Sequence, residues 1–323
     1  MKNLQYLFKD IQEEIVILEN ELRNTVRNSD PIIEDTTLHL IDAGGKRLRP
    51  ALCFLGGKFY QYDYKKILPL AVVVEMTHMA TLVHDDVVDA SMTRRSVPTI
   101  KALYGNKISV HLGDYLLGKT LKILAGLENT IISKVLAETS VKMCQGEIQQ
   151  LYTANTSEQT IKDYFYRIKR KTALLISASC QIGALACGAP SSIHLRLREY
   201  GHCIGMAFQI TDDILDIVAD RGQLGKPVGG DLKQGIVTLP FLIAVKNGQN
   251  KDRLLEILKK NDRDEDDIIE ACRLIIQSGG VEHAKRYVDR YIEHAKKQLS
   301  RLPDIPARDA LYRLADFIAV REF

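Results

Sequence analysis

Asp85-Asp86-Val87-Val88-Asp89 and Asp212-Asp213-Ile214-Leu215-Asp216 have one shape, Asp-Asp-x-x-Asp, and stand far apart in the chain. In a helix, the first and last carboxylates of each motif lie four residues apart and share a face. Both motifs sit in apolar stretches, where carboxylates repel one another and are costly to desolvate. Cations should neutralise them. Oxygen-only ligands favour Mg²⁺, which keeps several waters and bridges to substrate phosphates. A single such motif reads more readily as a solvated acidic turn; two, each flanked by apolar residues, point to metal.

Cationic residues surround both motifs in sequence. Gly44-Gly45-Lys46-Arg47-Leu48-Arg49-Pro50 frees the backbone and then supplies three cations. Lys46 and Arg49 could clamp a phosphate, Arg by its planar fork and Lys as a point charge. An exposed turn before a helix would account for the same residues, and the spacing is not that of a P-loop. His78 precedes Asp85 by two helical turns on the same face, and His84 is read as a structural hydrogen-bonding residue. Arg94 and Arg95 follow the first motif. Lys171-Thr172 opens an uncharged stretch, Gln209 lies just before Asp212, and Lys226 follows the second motif in a glycine-rich loop. Each is a weak signal alone. Together they describe two acidic walls with ligands for at least three Mg²⁺ ions and a ring of Lys and Arg, which suits a diphosphate ester. Metal and cations make diphosphate a good leaving group. No Ser/His/Asp nucleophile group is apparent.

The elements that must position these residues read as helices. Leu4, Leu7, Ile11, Ile15, Leu18 and Leu22 recur at three- and four-residue steps, as do Val281, Ala284, Val288, Tyr291, Ala295 and Leu299. The run Val72-Val73-Val74 passes without a breaker into Glu75-Met76-Thr77-His78, so a long helix is expected there. Breakers such as Ala43-Gly44-Gly45, Gly188-Ala189-Pro190 and Ser278-Gly279-Gly280 divide the chain into ten or more helices. The expectation is a single all-α domain over residues 1–323. The uncharged stretch Thr172 to Pro190, rich in small residues, reads as a buried central helix rather than a membrane span.

Bulk numbers exclude little. Forty-four Lys and Arg against forty-one Asp and Glu leave a net charge of +3, too small a field to point to nucleic acid. The six cysteines include no Cys-x-x-Cys pair, and most lie in apolar surroundings. A reducing cytoplasm is expected, and the start of the chain does not read as a signal peptide.

The ordered set Gly-Gly-Lys-Arg-x-Arg-Pro, His-Asp-Asp-x-x-Asp with Arg-Arg-x-x-Pro downstream, Gly-x-x-Phe-Gln-x-x-Asp-Asp-x-x-Asp and Gly-Lys-Pro-x-Gly-x-Asp-Leu resembles the trans-isoprenyl diphosphate synthases over nearly the whole length. The resemblance implies an isoprenoid-synthase helical bundle around a deep central cavity. It implies head-to-tail condensation of isopentenyl diphosphate with an allylic diphosphate, farnesyl diphosphate being the expected primer. It implies Mg²⁺ on Asp85, Asp89 and Asp212, with Asp86, Asp213 and Asp216 completing the catalytic motifs. Lys46, Arg49, His78 and Arg95 would hold isopentenyl diphosphate. Arg94, Lys171, Thr172, Gln209 and Lys226 would hold the allylic diphosphate.

Many members carry Lys where this chain has Ile236, so one expected cation is missing. Product length in the family depends on residues before the first aspartate. Ala80, Thr81 and, one turn lower, Thr77 are small here, which implies a medium or long all-trans product. The chain is similar to the larger, catalytic subunit of bacterial two-component hexaprenyl or heptaprenyl diphosphate synthases, which serve menaquinone side-chain synthesis. That implies a heterodimer with a small non-catalytic subunit; a homodimeric single-component octaprenyl or longer synthase is the alternative. A class I terpene cyclase would share the aspartates and Mg²⁺ but needs no isopentenyl site.

Overall fold

The computed structural model describes residues 7–27, 30–153, 158–218, 229–248, 250–260 and 262–320. Its helices run in the order α1 (Gln12–Val26), α2 (Pro31–Asp42), α3 (Leu48–Gly57), α4 (Tyr64–Val88), α5 (Ile100–Ala125), α6 (Thr130–Thr153), α7 (Ile161–Ile168), α8 (Leu174–Ala186) and α9 (Ser191–Val218). They continue as α10 (Gly230–Lys233), α11 (Leu239–Asn247), α12 (Lys251–Lys259), α13 (Glu265–Gln277), α14 (Gly280–Leu299) and α15 (Pro306–Ala319). Short helical turns cover Lys9–Ile11 and Lys169–Ala173, the latter a π-helix. Among the described residues the one sheet is the hairpin of β1 (Thr93–Arg94) and β2 (Val97–Pro98). The all-α expectation therefore holds, and the Val72 run is helix.

The chain forms two compact units, each assembled from three separate stretches: 1–136, 179–197 and 303–310 in the first, 137–178, 198–302 and 311–323 in the second.

In the first unit, α4 is the axis. Residues 70–77 are buried on every side, so α4 is a core helix packed by α1, α3 and α5. Among the described residues it is also the one helix long and apolar enough to cross a membrane. Within its most apolar window 67% is buried inside the protein, as suits a core helix. Glycine sets the approach of α3 to α8. A Cβ on Gly183 would stand 1.9 Å from the Cys53 carbonyl oxygen, and one on Gly56 2.4 Å from that of Cys180. The small-residue stretch thus serves close helix packing. Cys53, Cys180 and Cys187 are buried and free.

In the second unit, glycines bring two helices onto the π-turn. A Cβ on Gly205 of α9 would meet the Ala173 Cα at 2.5 Å, and one on Gly146 of α6 the Arg170 Cβ at 2.7 Å. Larger side chains at either position would push these helices off the segment that carries Lys171 and Thr172. Interior π-turns concentrate at functional sites.

Candidate active site

The first acidic motif stands at the C-terminal end of α4. Between residues 78 and 85, the positions that keep solvent access are His78, Thr81, Leu82, His84 and Asp85, while Met79, Ala80 and Val83 are buried. That is one open helical stripe, and it carries His78, Thr81 and Asp85 together. Asp89 is the C-cap rather than a helical residue, and its amide still donates to the Asp85 carbonyl at 2.8 Å. The two carboxylates therefore stay one turn apart. Asp86 points elsewhere: its Oδ1 accepts from Arg94 Nε at 2.8 Å, and it is 3% exposed. Burial raises the Asp86 pKa, while the Arg94 guanidinium opposes the rise. His84 turns to α5, donating to the Val110 carbonyl at 3.2 Å in the space left by Gly113.

The hairpin after α4 carries Arg94 and Arg95. Its turn residues Arg95 and Ser96 both have positive φ, 53° and 66°. Such turns favour Asn-Gly, so non-glycine residues here hold strain. Anchors fix the strained loop: the Thr99 amide donates to the Met92 carbonyl at 3.1 Å, and His39 Nε2 donates to the Pro98 carbonyl at 2.8 Å. The hairpin brings Arg95 onto the Gly44-Gly45 turn, where a Cβ on Gly45 would stand 2.8 Å from Arg95 Nη1. Residues half a hundred positions apart in sequence thus form one cationic cluster. A cavity of about 30 Å³ beside it is lined by Arg47, Glu75, His78, Asp86, Arg94 and Arg95, among others. Arg49 is half-buried, with its Nε buried and without a hydrogen-bond partner among the described residues. Lys46 is exposed at the edge of the turn.

His78 is held neutral. Burial, then the guanidiniums of Arg49, Arg95, Arg94 and Arg47, push its pKa well below the ordinary 6.5. As pH falls, the unfolded chain therefore takes up this proton first, and stability is lost from about pH 6.5 downward. The loss between pH 7.5 and 5.5 amounts to about 1 kcal/mol for one such site. Urea unfolding of His78→Gln should show an acid loss smaller by that amount; an undiminished loss would clear His78 as its source.

The second motif, on α9, is built into a hydrogen-bonded network. Tyr164 donates to Asp213 Oδ2 at 2.7 Å and Gln209 Nε2 to Asp213 Oδ1 at 2.8 Å. Thr172 in turn donates to Gln209 Oε1 at 2.6 Å. Gln209 and Thr172, read from sequence as contacts to a diphosphate, thus also orient Asp213. Lys171 Nζ stands 3.1 Å from Glu147 Oε2. Arg167, 4% exposed, donates to Gln159 Oε1 at 2.9 Å and to the Val237 carbonyl at 2.5 Å. Asp216 accepts from the amides of Gly230 and Asp231 at 3.0 and 3.1 Å and so caps α10. Lys226 lies outside the described residues. Ile236 is half-buried, its amide bonded to the Asp231 carbonyl at 2.9 Å.

Burial pushes the Asp213 carboxyl up to about 6, against its two donors and Arg167. Burial, then Asp213 and Asp216, push Asp231 well above the carboxylate range. Burial thus disfavours the charged forms of Asp213 and Asp231, which fits a site completed by a divalent cation. Among the described residues no three His, Cys, Asp or Glu side chains form a ready-made metal cage. Mg²⁺ does not require one, since it takes one or two carboxylates plus substrate phosphates.

Sequence reasoning missed Tyr164, Arg167, Glu147, Glu75 and Glu19.

The sequence model of the family described as polyprenyl synthetase matches residues 30–275. Heptaprenyl diphosphate synthase component 2 of Bacillus subtilis (strain 168) is 42% identical over 314 residues, covering 97% of this chain and 89% of that protein. The protein of the same name from Geobacillus stearothermophilus is 41% identical, with 99% of each chain covered. The crystal structure of heptaprenyl diphosphate synthase from Staphylococcus aureus superposes with a TM-score of 0.91 at 34% identity, over 96% of this chain and 98% of that one.

Proposed function

The chain belongs to the polyprenyl synthetase family and is a prenyltransferase, and on that premise we propose that it extends farnesyl diphosphate by head-to-tail addition of isopentenyl units to heptaprenyl or hexaprenyl diphosphate. Asp85 and Asp89 in the first unit, and Asp212 in the second, would serve as Mg²⁺ ligands, and the bound metal would stabilise charge on the departing diphosphate. Lys46, Arg49 and Arg95 hold isopentenyl diphosphate. His78, kept neutral by burial and then by its arginine neighbours, donates one N–H to the same group. Arg94, Lys171, Thr172, Gln209 and Lys226 serve the allylic diphosphate. The observation that carries the reading is the open stripe of α4, which sets Asp85 and His78 on one face beside a cationic cluster holding an unpartnered, buried Arg49 Nε. A phosphate-binding cluster distinct from the aspartates is what a two-substrate condensation needs and a cyclase does not.

The relatives' designation as component 2 supports a small non-catalytic partner for this chain. The setting proposed is cytoplasmic, and the product would supply menaquinone side chains. The test uses the purified chain with Mg²⁺, isopentenyl diphosphate and farnesyl diphosphate, and product mass is read. No product from the chain alone, with a six- or seven-unit product when the partner component is added, is expected. An octaprenyl or longer product from the chain alone would establish the single-component alternative. A hydrocarbon formed from farnesyl diphosphate without chain growth would refute the reading.

A further inference from the structure

Beside the proposed isopentenyl site lies a charge cluster that no substrate contact accounts for. Arg47 is 5% exposed, and its φ of 45° is left-handed, a conformation that costs a non-glycine residue free energy. Its guanidinium is almost fully committed to protein. Nε donates to Glu19 Oε1 at 2.6 Å and Nη2 to Glu19 Oε2 at 3.2 Å. Nη1 donates to Glu75 Oε1 at 2.7 Å and Nη2 to the Ile41 carbonyl at 3.1 Å. Four of its five N–H groups are so used.

Glu75 is 3% exposed and sits on α4 three residues before His78. Buried carboxylates are seldom tolerated unless paired. Arg47 satisfies Glu75, yet the charge of Glu75 also acts on Arg49 and Arg95, favouring their charged forms against burial. Arg49 differs from Arg47 in keeping a buried Nε without a partner among the described residues. Two arginines separated by one residue are thus sorted: one is closed onto carboxylates, the other left open to an anion.

The geometry points to Arg47, Glu75 and Glu19 as a positioning clamp for the isopentenyl diphosphate site, in which the two carboxylates hold the left-handed Arg47 and thereby set where Lys46 and Arg49 stand. Arg47 is the N-cap of α3, so its backbone fixes both the exit of the Lys46 turn and the start of the helix bearing Arg49. Glu75 supplies the counter-charge that lets Arg47, Arg49 and Arg95 assemble before a diphosphate arrives. The assignment of this cluster to isopentenyl diphosphate rests on the proposed function; the clamp itself does not.

The test compares Glu75→Ala, Glu75→Gln and Glu19→Gln in the active enzyme, with its partner component if one is needed. Glu75→Ala should raise KM for isopentenyl diphosphate tenfold or more, with kcat within threefold and KM for the allylic substrate within twofold. Glu75→Gln should fall between Ala and wild type, because its amide oxygen still accepts from Arg47. Removing a negative charge from an intact array would instead draw the diphosphate in. A KM for Glu75→Gln below wild type therefore overturns the clamp. So does an unchanged KM in Glu75→Ala, or an equal rise for both substrates. Should Glu75→Ala not fold, Glu75→Gln and Glu19→Gln decide by the same criteria. Calorimetric titration of the chain with inorganic diphosphate in EDTA gives a second readout, in which the variants should bind at least fivefold more weakly. That weakening, found in a protein that incorporates no isopentenyl units, would refute the proposed function and leave the clamp standing.

Discussion

Asp85→Ala should lower isopentenyl incorporation on the order of a thousandfold, and Asp212→Ala should do the same. Both residues belong to the acidic motifs expected to hold Mg²⁺. The expected loss reflects charge stabilisation of the leaving diphosphate, which bound metal supplies at several kcal/mol. Asp216→Ala is the informative contrast. Its carboxylate caps the Gly230 and Asp231 amides, so about 1 kcal/mol of stability should go with it. Activity within threefold of wild type in purified Asp85→Ala would remove Asp85 from the metal site and, with it, the central assignment.

Thr81→Phe should shorten the product by at least one isoprene unit, read by mass on the reaction with farnesyl diphosphate. Thr81 is half-buried on the α4 stripe that also carries His78 and Asp85, and its hydroxyl is already turned back to the His78 carbonyl at 2.8 Å. An aromatic ring at this position projects from the same face one turn before Asp85. Ala80 and Thr77, grouped with Thr81 from sequence, differ in surroundings. Ala80 is 0% exposed and Thr77 5%. Phe at Ala80 has no open space to enter, and overpacking should cost about 1–3 kcal/mol of stability. The pair of variants thus separates length control from core damage. Unaltered product mass in a well-folded Thr81→Phe protein would take Thr81 off the path of the growing chain.

The all-helical architecture and the chemical character of the site were legible early because both depend on local pattern. A three- and four-residue apolar step needs no knowledge of partners, nor does a carboxylate pair at helical spacing. Local pattern is silent where a neighbour from elsewhere in the chain takes the side chain. Asp86 and Asp89 look alike in the motif, yet Asp86 closes on Arg94 while Asp89 remains exposed. Gln209 and Thr172 read as independent diphosphate contacts, yet they are bonded to each other and orient Asp213. In Lys46-Arg47-Leu48-Arg49 the sequence singles out Lys46 and Arg49 as phosphate ligands, and only the fold shows what occupies Arg47, its two carboxylates.

By itself, then, the sequence determined the helical class, the two acidic motifs and the cationic residues that accompany them, since charge, side-chain shape and helical period are properties of neighbouring positions. Only the tertiary structure decided which charges are committed to protein and which are open. Those partners lie 28 residues away for Arg47 and Glu75, 49 for Tyr164 and Asp213, and 70 for Arg167 and the Val237 carbonyl. Pairings at such separations are set by how helices pack, through the glycines that let α9 and α6 close on the π-turn and Arg95 close on Gly45, and no local pattern encodes them.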